Sequence, residues 1–244
     1  MPVALVTGAN SGIGYAIAER LLRDGFDLGY ATHDRGDDDR ESFERLCVLG
    51  RVHWVDGDLG DASTPGRLVG ETVAALGPLD VLVNNAGLST RGPALELTAE
   101  DFDQTFAVDV RAAFLLSQEA ARSMGERGGT IVNITSIHEH VPRVGFSVYA
   151  AAKAALGMLT RGFALELAAV GIRVNAVAPG LIASERNAEA AELGADVPLG
   201  RAGEPEEVAA LVSFLCSPEA SYISGVSYLV DGAAAQRPLA RPAG

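Results

Sequence analysis

Short apolar runs alternate with longer stretches of helical periodicity along the whole chain. The runs Val3–Thr7, Asp27–Thr32, Val52–Val55, Val81–Asn84, Thr130–Ile134, Arg173–Ala178 and Ser227–Val230 read as strands. Helical patterns fall near residues 13–24, 38–49, 63–76, 99–125, 147–169 and 205–216. Strands that are apolar on both faces and separated by helices predict a parallel sheet covered on both sides. The expected fold class is α/β, a doubly wound sheet of about seven strands in one domain over residues 1–244, because no repeat or low-complexity linker divides the chain. Asp37-Asp38-Asp39 reads as a helix start, where carboxylates meet the positive end of the dipole. Glu204-Pro205-Glu206-Glu207 gives the same signal with a proline in the first turn. Residues 184–200 follow the end of a strand, where α/β proteins bind ligands, and read either as a substrate lid or as a plain surface connection.

Composition narrows the function classes. Apolar residues make up 48% and charged residues 21%, which argues against disorder and for a large buried core. Cys47 and Cys216 cannot form a disulfide framework. Nineteen basic against thirty-two acidic side chains give a net charge of −13, the wrong sign for a nucleic-acid or anionic-membrane surface. No basic segment precedes the apolar start, and Gly8, Asn10, Ser11, Gly12 and Gly14 interrupt it, so a cytoplasmic location is expected. Asn133-Ile134-Thr135 matches a glycosylation sequon inside an apolar strand and reads as chance.

The first strand runs straight into Thr7-Gly8-Ala9-Asn10-Ser11-Gly12-Ile13-Gly14, which opens the first helix. Glycines there let the backbone turn sharply and approach a pyrophosphate, whose charge the helix N-terminus meets. Tyr149 and Lys153 are four apart and share one helix face. An unperturbed phenol, with a pKa of about 10, is a poor proton shuttle at neutral pH, and a neighbouring ammonium moves it toward the working range. Ser136, at the end of the fifth strand, is placed to hydrogen-bond a substrate oxygen.

Taken with Asp58-Leu59, Asn84-Asn85-Ala86-Gly87, Pro179-Gly180 and Val230-Asp231-Gly232, these motifs resemble the classical short-chain dehydrogenase/reductase family from Val3 to about Ala233. The resemblance implies a Rossmann-type fold with helices on both faces of the sheet, and an NAD(P)-dependent enzyme that interconverts an alcohol and a carbonyl. It implies cofactor contacts from Gly8, Asn10, Ser11, Gly12, Ile13 and Gly14, from Asp58 and Leu59, and from Asn85, Ala86 and Gly87. Further contacts are implied from Pro179, Gly180, Ile182 and Ser184, with Asp58 on the adenine, Ile182 on the carboxamide and Asn84 bracing the sheet. Tyr149 becomes the acid/base, Lys153 its tuner and a ribose ligand, and Ser136 the substrate positioner.

The family's discriminating acid after the second strand is replaced by Thr32. His33 and Arg35 would face a 2′-phosphate, whereas Asp34 would reach the ribose if the loop slipped, and Ser11 stands where many NADP-users carry a base. The balance favours NADP(H) over NAD(H). Val108-Asp109-Val110 stands where many members carry a catalytic asparagine; an ionised carboxylate accepts hydrogen bonds but cannot donate them.

Ser136-Ile137-His138-Glu139-His140-Val141-Pro142 resembles the Ser-x-His-Glu-x-x-Pro stretch of glucose 1-dehydrogenases, which places His138 and Glu139 with Ser136 and Tyr149 around the substrate. They serve either as substrate ligands or to order the loop. Histidines two apart without a third ligand argue against a metal, and none is expected.

The favoured substrate is a small polyol, sugar or hydroxyketone. One alternative is a 3-oxoacyl carrier-protein reductase, which needs a basic patch such as Arg122, Arg127 and Arg161 would supply. A catalytically silent sensor or scaffold is the alternative from another class, against which Ser136, Tyr149 and Lys153 stand intact. No G-x-S-x-G elbow supports a hydrolase. The expected assembly is a homotetramer or homodimer through the helices near 102–124 and 147–169.

Overall fold

The computed structural model describes residues 1–184 and 190–236. Seven parallel strands, β1 (Val3–Thr7), β2 (Asp27–Thr32), β3 (Val52–Asp56), β4 (Val81–Asn84), β5 (Gly129–Ile134), β6 (Ile172–Pro179) and β7 (Ser227–Val230), lie in the order β3-β2-β1-β4-β5-β6-β7. The expected doubly wound sheet is therefore what forms, and each strand falls where the apolar runs placed it. The order reverses between β1 and β4, and in open α/β sheets ligands bind beyond the strand ends at such a switch point.

Burial explains the two layers. Ala4 and Val6 of β1 join a core with Ile17 and Leu21 of α1 (Gly12–Arg23) and Val208 and Val212 of α8 (Pro205–Cys216). Val3 and Leu5 face the other way, into a core with Leu68 of α3 (Thr64–Leu76), Leu116 of α5 (Ala113–Met124) and Ala164 of α6 (Ser147–Leu167). Alternate residues of one strand thus feed opposite cores, each buried Leu or Val contributing about 1.5–3 kcal/mol. The remaining helices are α2 (Asp37–Cys47), α4 (Ala99–Phe106) and the short α7 (Ala190–Gly194). Among the described residues no helix is long and apolar enough to cross a membrane.

One sequence expectation changes. The 99–125 pattern predicted one regular helix, but Ala107–Ala112 between α4 and α5 is π-helical. The wider turn shifts the following residues around the axis, and Asp109 on it is 1% exposed. A charged residue turned inward there leaves no trace in a hydrophobic period. The 184–200 stretch contains α7, and Ile182 before it pairs with Gly203 in a parallel bridge. Residues 185–189 of the expected lid lie outside the described residues.

The glycine turn is fastened to the loop after β4. Thr7 Oγ1 accepts from the backbone N–H of Asn85 and of Ala86, both at 3.0 Å, and Asn85 Nδ2 donates to the Thr7 and Gly8 carbonyls at 2.9 and 3.1 Å. A Cβ on Gly14 would stand 2.0 Å from the Gly8 carbonyl oxygen and 2.4 Å from Asn85 Nδ2. Gly70, exposed on α3, has open space around it. In denaturant unfolding, Gly14→Ala is expected to destabilise by about 1–3 kcal/mol through overpacking, and Gly70→Ala to stabilise by about 0.5–1 kcal/mol. Equal effects of the two changes would contradict this packing.

Candidate active site

The C-terminal ends of β4 and β5 meet the start of α6 at a cleft of about 250 Å³, whose walls include Gly87, Ser136, Tyr149, Lys153 and Gly180. Ser136 follows β5 in an extended conformation, is 7% exposed, and its Oγ accepts the His138 N–H at 3.2 Å. Tyr149 and Lys153 sit one turn apart on α6, with Nζ 5.5 Å from the Tyr149 ring centroid. Lys153 is buried, and its Nζ donates to the Ile134 carbonyl at 3.3 Å.

Asp109 completes the group from the π turn. Its Oδ2 lies 3.0 Å from Lys153 Nζ, and the two side chains are 0% and 4% exposed. Oδ1 accepts the Leu88 N–H at 2.7 Å. Burial alone would push the Lys153 ammonium down, but the Asp109 carboxylate, the Tyr149 oxygen and the hydrogen bond to Asp109 carry it above the usual lysine value. Gly87 packs directly over the pair; a Cβ there would lie 3.0 Å from Asp109 Oδ2 and 3.1 Å from Nζ.

A second hollow adjoins this cleft, shared by Gly8, Ser11, Gly12, Ala86, Tyr149 and Ser184. Gly8 and Gly12 adopt φ of +62° and +52°, and Ser184 Cβ would touch a Cβ on Gly12 at 3.5 Å. Ile13, Gly14, Asn85 and Gly87 line the same hollow. Asn10 donates to Asp39 at 2.7 Å. Asn84 is buried behind the site, donating to Asn133 at 2.8 Å and to Ser117 at 3.2 Å. Asn133 of the sequon is 1% exposed within β5. Gly180 takes its place against the last motif, its N–H donating to the Val230 carbonyl at 2.9 Å, with Pro179 closing β6 and Ile182 6% exposed. Beyond β3, exposed Asp58 accepts the Gly60 N–H at 2.7 Å while Leu59 packs on the core.

Several expected residues stand elsewhere. Arg35 is held by Asp56 at 2.6 Å and lies over the Trp54 ring, 5.3 Å from its centroid, instead of reaching freely into the hollow. His33 and Asp34 are exposed at the end of β2, and Thr32 is turned into the fold, accepting Trp54 Nε1–H at 2.7 Å. His138 and Glu139 part company. His138 borders a cavity with Ser136 and Tyr149, whereas the Glu139 side chain is 4% exposed and accepts Ser227 Oγ–H at 2.8 Å. A Cβ on Gly157 of α6 would collide with Glu139 Oε1 at 2.2 Å, so this carboxylate fills a niche against α6 and β7. Glu139 is thus held in that niche and does not line the cavity that His138 borders. The sequence reading passed over Arg91, Arg143 and Phe146, which border the same cavity as His138. Their position in the loops that follow β4 and β5, on the ligand side of a doubly wound sheet, is the signal that could have found them.

A family model described as enoyl-(acyl carrier protein) reductase matches residues 8–233. The glucose 1-dehydrogenase of Gluconobacter oxydans is 37% identical over 93% of this chain and 90% of its own length. The crystal structure of acetoin dehydrogenase from Enterobacter cloacae superposes with a TM-score of 0.91 at 42% identity, covering 99% of this chain and 98% of that one. A blue fluorescent protein from a metagenomic library, solved in complex with NADPH, gives 0.88 at 38% identity over 95% and 96%. With the glycine turn, the Ser136–Tyr149–Lys153 group and the seven-stranded order already in place, the chain belongs to the short-chain dehydrogenase/reductase family of oxidoreductases.

Proposed function

We propose that this enzyme uses NADP(H) to interconvert a small hydroxyketone, polyol or sugar with its carbonyl partner, with Ser136, Tyr149, Lys153 and Asp109 as the working group. The observation that carries the reading is the shared cleft in which Ser136, Tyr149 and Lys153 stand against the glycine-lined hollow. That hollow fits a dinucleotide: two glycines at positive φ and a third with no room for a Cβ form a cradle at a helix N-terminus. Gly8, Ser11, Gly12 and Ile13 would hold the pyrophosphate side, and Asn85, Ala86, Gly87, Pro179, Gly180, Ile182 and Ser184 the nicotinamide side. The chemistry that a nicotinamide bound there would supply is an acceptor for the hydride of the alcohol's C–H bond, with both electrons of that bond, and in the reverse direction a donor of that hydride to the carbonyl.

The protein handles the proton. In oxidation the Tyr149 oxygen takes the hydroxyl proton as the carbonyl forms; in reduction it gives that proton back. Ser136 Oγ fixes the substrate oxygen beside Tyr149. Lys153 supplies a buried positive charge on the same helix face, and Asp109 keeps that charge in place. Two relatives are named for acetoin and for glucose, which supports the small hydroxyketone and sugar classes. The carrier-protein alternative has less support, because a carboxylate stands beside each of its expected bases and lowers the local positive potential: Glu119 beside Arg122, Asp80 at 3.0 Å from Arg127 and Glu139 at 4.0 Å from Arg161. Met158 and Leu165, exposed on α6, support self-association through that helix.

Two measurements test this reading. Tyr149→Phe removes the proton carrier and keeps the ring, so turnover of acetoin or a simple diketone is expected to fall at least about 100-fold while dinucleotide binding stays within a few-fold. Wild-type turnover in this variant would sink the assigned chemistry. For the cofactor, the Arg35–Asp56 pair is half exposed and worth only about 0–1 kcal/mol, less than the roughly 1.5–3 kcal/mol of a charge-assisted bond to phosphate. A 2′-phosphate would therefore draw Arg35 away from Asp56. Replacing His33 and Arg35 by alanine is expected to weaken NADP(H) at least about tenfold more than NAD(H) in titrations of cofactor fluorescence. Equal losses, or a wild-type preference for NAD(H), would overturn the assignment and return the ribose to Asp34.

A further inference from the structure

Acids outnumber bases in this chain, and nine of the fifteen arginines among the described residues face a carboxylate. Arg91 and Arg143 do not. Neither makes an ion pair among the described residues; the one hydrogen bond from a guanidinium of the two runs from Arg91 Nε to Ser89 Oγ at 3.3 Å. Arg91 comes from the loop after β4 and Arg143 from the loop after β5, and the Gly92 N–H donates to the Gly145 carbonyl at 3.0 Å, tying the loops together. Both guanidinium carbons lie over the Phe146 ring, 4.9 and 5.2 Å from its centroid. Phe146 is 9% exposed and sits 4.9 Å from the His138 ring and 6.2 Å from Tyr149.

These side chains wall a cavity of about 270 Å³ that also contains Ser136 and Tyr149 and has no carboxylate among its described lining residues. His138 Nδ1 is 3.0 Å from the Val141 carbonyl. A carbonyl only accepts, so Nδ1 is the protonated nitrogen and Nε2 of the neutral ring is an acceptor. The cavity thus has one end for the reacting oxygen, at Ser136 and Tyr149, an apolar floor at Phe146, and two uncompensated guanidiniums. Stacking on Phe146 restricts both arginines, which lowers the entropy lost when they bind a ligand. Two positive charges without an ion pair among the described residues, in a chain of net charge −13, also create a local attraction for anions.

We propose that Arg91 and Arg143 form an anion subsite, so that the preferred carbonyl or alcohol substrate carries a carboxylate or phosphate group away from its reacting carbon. This rests on the alcohol/carbonyl reading of the same cleft and narrows its substrate class to oxo acids, hydroxy acids or phosphorylated sugars and ketones. The neutral hydroxyketones and sugars then bind without the anchoring end and are the weaker substrates.

The test compares reduction of p-formylbenzoate with that of its methyl ester, and of glyceraldehyde phosphate with glyceraldehyde, in wild type and in Arg91→Gln/Arg143→Gln. The wild type is expected to favour the charged member of at least one pair through KM, and the arm in which it does so identifies carboxylate or phosphate as the anchored group. The double glutamine variant should lose about 10- to 100-fold in kcat/KM for that charged member while the neutral one changes less than about threefold. Lysine at both positions should restore part of the preference, and added salt should erode it in the wild type. Equal losses on charged and neutral substrates would make the arginines mere supports of Phe146 and overturn the proposal, as would charge-blind turnover in both arms. Binding of p-formylbenzoate to the NADPH-loaded Tyr149→Phe variant, in which the cofactor is not consumed, read by quenching of cofactor fluorescence with and without the two glutamine changes, separates the two levels. Arginine-dependent binding without Tyr149-dependent turnover would remove the reaction and keep the anion subsite; turnover without charge discrimination would keep the reaction and remove the subsite.

Discussion

A buried ammonium is tolerated only when another group offsets the loss of its water, and Asp109 offsets it for Lys153. Taking either ion out of water costs several kcal/mol, so removing one partner of such a pair typically costs about 3–5 kcal/mol. The pair at 3.0 Å also fixes what surrounds it. Asp109 holds the Leu88 N–H, so the loop after β4 takes its position from the same carboxylate. A Cβ on Gly87 would press on the pair, 3.0 Å from Asp109 Oδ2 and 3.1 Å from Lys153 Nζ, so the loop and the pair pack closely there. Through Ile134, the ammonium also reaches the end of β5, the strand that delivers Ser136. One charge pair thereby joins the π turn, two strand ends and α6.

The fold brings these pieces together because of its strand order. β1 and β4 are neighbours across the switch point, so the glycine turn and the Asn84–Gly87 loop emerge side by side and share hydrogen bonds through Thr7 and Asn85. β5 and β6 follow, bringing Ser136 and Gly180 to the same edge. The glycine turn and the Ser136–Tyr149–Lys153 cluster therefore meet without any element having to cross the sheet.

How much of this could be read from residues alone follows from what a sequence pattern encodes. Strands buried on both faces are written as continuous apolar runs, and all seven were legible. The glycine turn and the Tyr149–Lys153 spacing were legible because backbone geometry and helix pitch demand those residues at those distances. Asp109 was recognisable as a departure, but the π turn that aims it at Lys153 was not, since a hydrophobic period carries no mark of one widened turn. Glu139 misled for the opposite reason: adjacent residues in a short turn point in different directions, and a linear motif cannot say which one faces the cleft. Arg35 was correctly placed at the end of β2, yet its partner Asp56 comes from β3, a contact that only the strand pairing reveals. Arg91 and Arg143 belong to two loops far apart in the chain, and their common partner Phe146 appears only when those loops are tied together.

Lys153 is the chain's only lysine, which makes its charge state directly observable. In protein labelled with isotopic lysine, the side-chain resonance of Lys153 can be followed by NMR as pH rises. With Asp109 raising it, the ammonium should persist past the free-lysine value of about 10.4. The stability that the pair contributes should be complete below that value and vanish as pH climbs through the higher folded one. In Asp109→Asn, burial would act without the opposing carboxylate, and the midpoint should drop below that of the wild type. A wild-type midpoint at or below the free-lysine value, or one that Asp109→Asn leaves unmoved, would contradict the central place given to this ion pair.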